Sequence, residues 1–410
     1  MSPENTFVVV GGGLAAGKAV EALRQHGYDG RLVVVADEPE KPYIRPPLSK
    51  GYLLGKEARD SLYVHPDGWY AEHDVELLLG TTARALDPAG REVELDGGRR
   101  LPYTKLLLAT GSSPRRLPVP GAEQDNVLYL RRVGDSDRLK AAFTAGARIV
   151  VIGAGWIGME TAAAARLAGA EVTVVEHSEL PLLNVLGREA AEVFAALHTE
   201  HGVVLHANAQ VERITGADGR ADGVLLADGT HLPADAVVVG VGAAPNVRLA
   251  EEAGLDVRNG VVTDAHLRTS VADVYAAGDV ANAHHPFLDR HIRVEHWANA
   301  LNQPDTAAQG MLGKDAVYDR LPYFYTDQYD LGMEYTGWTE PGGYDRVVFR
   351  GDRAAREFIA FWMSGNRVLA GMNVNVWDVV EPIKALITSR SDVDAARLAD
   401  PDVPLDSVAS

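Results

Sequence analysis

Two stretches of the chain share one pattern: a short apolar run, a cluster of glycines, an alanine-rich amphipathic stretch, a second apolar run and an acid. Residues 149–152 are continuous and β-branched, as in a strand buried on both faces of a parallel sheet. Gly153-Ala154-Gly155-Trp156-Ile157-Gly158 follows, 156–168 reads as a helix, and a strand over 172–175 closes on Glu176. Near the N-terminus, a strand over 7–10 leads into Gly11-Gly12-Gly13-Leu14-Ala15-Ala16. A helix over 14–25 and a strand over 31–36 follow, ending on Asp37 and Glu38. Elsewhere the periodicity predicts a strand over 101–110, a helix over 189–200, and strands over 203–207, 210–215 and 223–226. A strand over 274–277 turns at Gly278-Asp279, and the stretch 294–311 continues as a helix despite Pro304. From 321 onward, strands over 331–338, 346–350, 357–363 and 367–374 precede a helix over 382–389 and a polar tail, 400–410, expected to fray.

Each glycine of the second stretch has a task. Gly153 permits the tight turn, Gly155 lets a pyrophosphate approach the backbone, and Gly158 lets helix and strand pack closely. The helix N-terminus then offers unpaired N–H groups to phosphates. Glu176 lies 23 positions after Gly153, where an acid accepts hydrogen bonds from an adenosine ribose and repels a 2′-phosphate. This unit therefore reads as NAD-binding. In the first stretch Ala16 replaces the third glycine, and Asp37 lies 26 positions after Gly11. Two complete fingerprints imply two dinucleotides, for which a flavin and a nicotinamide are the economical pair.

Composition narrows the function. The 410 residues suggest two or three domains, and 46% hydrophobic with 23% charged residues is ordinary for a soluble globular protein. The net charge of −18 argues against non-specific nucleic-acid or anionic-membrane binding. No apolar run is long enough to span a membrane, and 1–6 lacks signal-peptide features, so a cytoplasmic location is expected. The absence of cysteine excludes a redox disulfide, a thiol nucleophile and thiolate metal sites. The thirteen histidines show no metal-ligand spacing, and His284-His285 reads as a loop pair, so no metal is expected. Electrons must run through a bound cofactor. The proline-rich run 41–50 reads as a loop with cationic ends, and 109–114 and 240–246 read as crossings between a first domain and an inserted second one.

With these residues in view, the chain resembles the FAD-dependent, NADH-linked ferredoxin reductases that feed bacterial oxygenases. The most specific motif is Arg45-Pro46-Pro47-Leu48-Ser49-Lys50. Ala109-Thr110-Gly111, Leu130-Arg131, 153–160, 242–246, Gly278-Asp279, Val294-Glu295, Asn299-Ala300 and the aromatic run 322–329 join it. The resemblance implies an α/β fold with two Rossmann-like dinucleotide-binding domains and a C-terminal α+β reductase domain. The FAD domain would comprise 1–112 and 240–320, the NAD domain 113–239, and the reductase domain 321–410.

The resemblance also implies roles. FAD would lie at Gly11, Gly13 and Ala15, with Asp37 or Glu38 near its ribose. Arg45, Ala83, Thr110, Gly111, Arg131, Gly242, Gly278 and Glu295 match further cofactor positions. Asp279 would accept from the ribitol chain, and Trp297 would present its backbone to the flavin pyrimidine edge. NAD would lie at Gly153, Gly155, Ile157, Gly158 and Glu176. Lys50 would stand beside the isoalloxazine ring, paired with Glu160, as the catalytic pair. NADH would reduce FAD, and electrons would pass singly to a 2Fe–2S ferredoxin. Arg115-Arg116 and Arg131-Arg132 are candidates for its docking. Tyr325 stands where some members carry tryptophan. Reduction of a small acceptor, as in monodehydroascorbate reductases, and NADH sensing of the apoptosis-inducing-factor kind are the alternatives. Monomer and homodimer both remain open.

Overall fold

The computed structural model describes residues 5–408. Most of the N-terminal stretch 1–6 and the last two residues of the tail therefore lie outside the described residues. The chain forms two compact units. The first takes the described residues up to Pro46, then Ala58–Ser113 and Ala243–Pro322, and the second takes Pro47–Glu57, Pro114–Gly242 and the chain from Tyr323 onward.

The first unit is built on a five-stranded parallel sheet in the order Val274–Ala276, Lys105–Leu108, Thr6–Val10, Arg31–Val35, Val75–Leu78. Alternation explains the continuous apolar runs. Phe7, Val9, Leu32 and Val34 pack on one face with helices Leu14–Gln25 and Trp297–Met311. Val8, Val10, Val33 and Val35 pack on the other with the antiparallel strands Ala83–Asp87, Glu92–Leu95 and Arg100–Pro102. Both faces are covered along the middle of the sheet, and the charged strand residues Arg31, Glu76 and Lys105 sit at strand starts or on the edge strand.

The second unit repeats the plan with strands Val204–His206, Glu171–Val175, Arg148–Ile152, Ala236–Val239 and Val127–Leu128, all parallel. It adds a three-stranded antiparallel sheet, Val211–Ala217, Arg220–Leu226 and His231–Pro233, whose last hairpin turns at Asp228-Gly229 as expected. It also carries a five-stranded antiparallel sheet in the order Tyr323–Gln328, Leu331–Gly337, Arg367–Val374, Glu357–Ser364, Arg346–Asp352. Helix Val380–Ser389 packs against the second and third of these strands. The α/β architecture with a C-terminal α+β region is the one expected.

Four local expectations are corrected. The single strand over 101–110 is two, Arg100–Pro102 and Lys105–Leu108, which belong to different sheets. The break falls where Pro102 has no N–H to give and Thr104 turns both its N–H and its hydroxyl onto the Thr6 carbonyl. The run 41–50 is not wholly loop: Pro46–Ser49 forms a 3₁₀ turn, because prolines are tolerated where a first turn needs no N–H. His284 and His285 sit in strand Ala281–His285, with His285 buried, rather than in a loop. The tail is not frayed through Val408. Arg350 donates to the carbonyls of Asp400, Pro401 and Val403 at 2.6, 3.0 and 2.7 Å, and Val408 is buried. One guanidinium thus ties three tail carbonyls to the sheet, beside the turn bonds that Asp402, Val403 and Ser407 make within the tail.

Candidate active site

In the first unit, the glycine loop joins strand Thr6–Val10 to helix Leu14–Gln25. Gly11 has φ +140°, and a Cβ there would stand 2.1 Å from the Ala109 carbonyl oxygen, so only glycine fits. Gly13 caps the helix with no side-chain bond to its first turn, which leaves the opening N–H groups for a ligand. Ala15 and Ala16 are buried behind the loop. A Cβ on Gly278 (φ +79°) would lie 3.1 Å from the Ala15 Cβ, so the Gly278 turn approaches the loop closely.

Of the two acids closing this fingerprint, Asp37 is exposed and Glu38 is buried. Glu38 accepts from the Tyr43 hydroxyl at 2.6 Å and from Arg45 Nη2 at 3.0 Å, and Arg45 Nη1 donates to the same hydroxyl at 2.9 Å. A second polar group lies near the turn after strand Val274–Ala276. Ser112 Oγ stands 3.3 Å from Asp279 Oδ2 and 3.0 Å from Glu295 Oε1, and Arg293 pairs with Glu295. Gln303 Oε1 accepts from the Gly278 amide at 2.8 Å. Trp297 is the first residue of its helix, whose cap, His296, makes no side-chain bond to the first turn. Thr110 and Asn246 exchange two bonds of 2.8 Å beside Gly111. Ala83 is a core position opening the antiparallel sheet.

In the second unit, Gly153 (φ +97°) and Gly158 leave no room for a side chain: a Cβ would stand 2.5 Å from the Gly240 carbonyl oxygen and 2.0 Å from that of Gly153, respectively. Gly155 faces open space and caps helix Trp156–Leu167 without a side-chain bond. Ile157 is 44% exposed at the helix start. Glu176 bends back onto its own loop and accepts from the amides of Ala154 at 2.7 Å and Ser178 at 2.9 Å. Gly242 takes a positive φ of 96°, and Arg131 is half-buried just before helix Val133–Ala142.

The sequence pairing of Lys50 with Glu160 is present as a contact. Lys50 Nζ lies 2.8 Å from Glu160 Oε1, and the Glu160 carboxylate is 5% exposed inside helix Trp156–Leu167. Two further donors, not singled out from the sequence, complete it: Ser49 Oγ donates to Oε2 at 2.5 Å and Thr326 Oγ1 to Oε1 at 2.6 Å. Both lie inside motifs already recognised, so a buried carboxylate's need for donors was the available clue. Tyr325 places its ring 5.6 Å from Lys50 Nζ, and burial pushes its hydroxyl up to about 12. Burial likewise pushes the Asp327 carboxyl up, against the opposing pull of Lys50. Tyr43 and Ser112 were also missed, being ordinary polar residues until their partners are brought together.

Two helix N-termini without side-chain caps, each behind a glycine loop whose first position admits no Cβ, fit the diphosphates of two dinucleotides. Among the described residues no group of three or more His, Cys, Asp or Glu could hold a metal ion, and no helix is long and apolar enough to cross a membrane.

Comparison with known proteins agrees. Residues 5–304 match the pyridine nucleotide-disulphide oxidoreductase family, and 323–409 match the reductase C-terminal family. Putidaredoxin reductase of Pseudomonas putida is 38% identical, over 100% of this chain and 97% of its own. The ferredoxin–NAD(+) reductase component of the anthranilate 1,2-dioxygenase system of Burkholderia cepacia is 39% identical, over 97% and 98%. The crystal structure of the covalent putidaredoxin reductase–putidaredoxin complex superposes with a TM-score of 0.95 at 38% identity, covering 99% of this chain and 98% of that one. Such reductases use FAD and NAD(H). This chain, without cysteine, lacks the disulfide chemistry for which the wider family is named. It belongs to the pyridine nucleotide-disulphide oxidoreductases and, among them, to the ferredoxin reductases.

Proposed function

We propose that this protein is an NADH-dependent ferredoxin reductase that feeds electrons, through a 2Fe–2S ferredoxin, to an oxygenase system. The observation that carries the reading is the pair of uncapped glycine-loop helices in a chain that has no cysteine to relay electrons. FAD supplies the chemistry when bound, taking two electrons from NADH and giving them up singly. The chain's residues bind and orient. In this reading 1–112 and 240–320 form the FAD domain, 113–239 the NAD domain and 321–410 the reductase domain.

The amides opening helix Leu14–Gln25 hold the FAD diphosphate behind Gly11, Gly13 and Ala15, and Asp37 and the Glu38–Arg45 pair border its ribose. Ala83, Thr110, Gly111, Arg131, Gly242 and Gly278 shape the rest of the cofactor's path. Asp279, with Ser112 and Glu295 around it, offers acceptors to a ribitol chain. The amide of Trp297, at an uncapped helix start, suits a carbonyl of the flavin pyrimidine edge. Gly153, Gly155, Ile157 and Gly158 hold NADH, and Glu176 disfavours a 2′-phosphate by its charge. Lys50, anchored by Glu160, is a fixed cation able to hold negative charge on the reduced cofactor. Dependence on NADH suits a cytoplasmic protein.

The test is anaerobic mixing with NADH, followed by addition of a 2Fe–2S ferredoxin from the same cell. Flavin bleaching followed by stoichiometric ferredoxin reduction is expected. A bleached, long-wavelength complex that native ferredoxins fail to discharge would overturn the reading in favour of a small acceptor or an NADH sensor.

A further inference from the structure

A line of polar side chains crosses the apolar core of the second unit and ends on Glu160. Thr326 and Gln328 lie two apart on strand Tyr323–Gln328, so both face inward, and both are 1% exposed. His198, in helix Arg188–Glu200, is 0% exposed, beside the core residues Phe194 and Leu197. Polar groups at such positions cost free energy unless each is satisfied. Here each is. His198 Nε2 stands 2.7 Å from Gln328 Oε1, Gln328 Nε2 donates to Thr326 Oγ1 at 3.2 Å, and Thr326 Oγ1 donates to Glu160 Oε1 at 2.6 Å.

The direction of these bonds follows from the ends. A carboxylate only accepts, so the single Thr326 hydroxyl hydrogen goes to Glu160. Thr326 Oγ1 must then receive from Gln328, which presents its NH₂ there and its carbonyl to His198. The His198 hydrogen therefore sits on Nε2, and Nδ1 is an acceptor facing the Tyr329 hydroxyl at 3.4 Å. Burial lowers the His198 pKa to about 4, which agrees with a neutral ring at neutral pH. All donors point the same way, toward the oxygen that also receives Lys50.

We propose that Thr326, Gln328 and His198 are positioning residues for the Lys50–Glu160 pair: their one-way chain of donors holds Glu160 Oε1 where Lys50 needs it. The inference rests on the role given to Lys50 above. It ties helix Arg188–Glu200, which carries no residue of either glycine loop, to the reacting centre.

The experiment uses the FAD-loaded full chain carrying Thr326→Val, Thr326→Ser or Gln328→Met, each in the wild-type and in the Glu160→Gln background. The rate constant of flavin reduction by NADH is expected to fall about tenfold for Thr326→Val, the scale of one lost charge-assisted hydrogen bond, and about threefold for Gln328→Met, which removes the neutral bond one step further back. Thr326→Ser, which keeps the hydroxyl, restores the rate. In the Glu160→Gln background the same changes add nothing, because they act through Glu160. Equal slowing in both backgrounds would mark a general packing defect and overturn the proposal. A second reading needs no turnover: ¹⁵N NMR of histidine-labelled protein should show His198 as the neutral Nε2–H tautomer at neutral pH, disturbed by Gln328→Met. A cationic ring or the Nδ1–H tautomer would overturn the chain. A protein that reduces no ferredoxin leaves this NMR result intact, so the two failures are distinguishable.

Discussion

The two glycine loops have nearly the same sequence pattern and solve its two hardest positions differently. At the third position Gly158 has no alternative, because a Cβ would stand 2.0 Å from the Gly153 carbonyl oxygen. The first loop carries Ala16 there, fully buried among the small residues of its helix. The closing acids diverge further. Glu176 is satisfied locally, by the amides of Ala154 and Ser178. Glu38 is satisfied by side chains from the proline-rich run, Tyr43 and Arg45. One acid is held by the backbone amides of its own loop and the other by side chains of the proline-rich run. A fingerprint thus specifies the turn while leaving open what supports it.

The largest expected effect breaks the third-position contrast. Gly158→Ala should cost about 3 kcal/mol, the upper end of overpacking, and speed hydrogen exchange in helix Trp156–Leu167. Ala16→Gly, the mirror change, should cost only about 1 kcal/mol, the helix propensity difference, with exchange in Leu14–Gln25 as readout. Equal costs would show that the two loops pack alike after all.

Next comes the support of the first acid. Arg45→Met takes the guanidinium away from the buried Glu38 carboxylate and should destabilise the first unit by about 3 kcal/mol in urea unfolding. An unchanged midpoint would mean that Glu38 escapes to water. Glu176→Gln keeps an acceptor for the Ala154 amide but removes the charge, so the preference for NADH over NADPH should narrow by about tenfold, measured as the ratio of kcat/KM values. No narrowing would assign that preference elsewhere.

The smallest effect concerns the bases of the two parallel sheets. In the second unit Asp235 accepts from the Arg148 side chain and amide, and these bonds hold its pKa at about 2, below the ordinary 3.8. A depressed carboxyl contributes stability that is whole above pH 3.8 and is lost as pH falls toward about 2. The ion pair is nearly half exposed, so solvent screening keeps the contribution small. Asp235→Asn should flatten the acid limb of the second unit's unfolding curve over that window. In the first unit Asp273, just before the edge strand Val274–Ala276, is shared between Lys105 and Arg91. A variant with an unchanged acid limb would show that the Arg148 pair contributes nothing there.

Local rules made much of the molecule legible. The β-branched runs became buried parallel strands because both faces are covered, and helix Leu14–Gln25 starts and stops at the residues its pattern marks. The tight turn expected at Gly153 is present, with a positive φ that only glycine tolerates at such close approach, and Gly11 has the same feature. Two of the errors fell where the deciding partner lies far along the chain. The tail looked unsupported until Arg350, some fifty residues earlier in sequence, reached its carbonyls. The strand over 101–110 looked continuous because periodicity cannot say that its two halves serve different sheets.

The pairing of Lys50 with Glu160 was implied by the family resemblance that the proline-rich motif carries; by itself, the sequence determined the two strand–glycine–helix units, their acids and the absence of thiol chemistry. These depend on local backbone sterics, on burial periodicity and on residue chemistry. Only the tertiary structure decided which neutral side chains serve the charged ones: Ser49 and Thr326 on Glu160, Tyr43 on Glu38, Ser112 between Asp279 and Glu295, and His198 at the end of a donor chain. A serine, threonine or glutamine carries no periodic or spacing mark of its partner. A buried charge must nevertheless be satisfied, and the fold meets that demand with whatever donors its packing brings within hydrogen-bond reach.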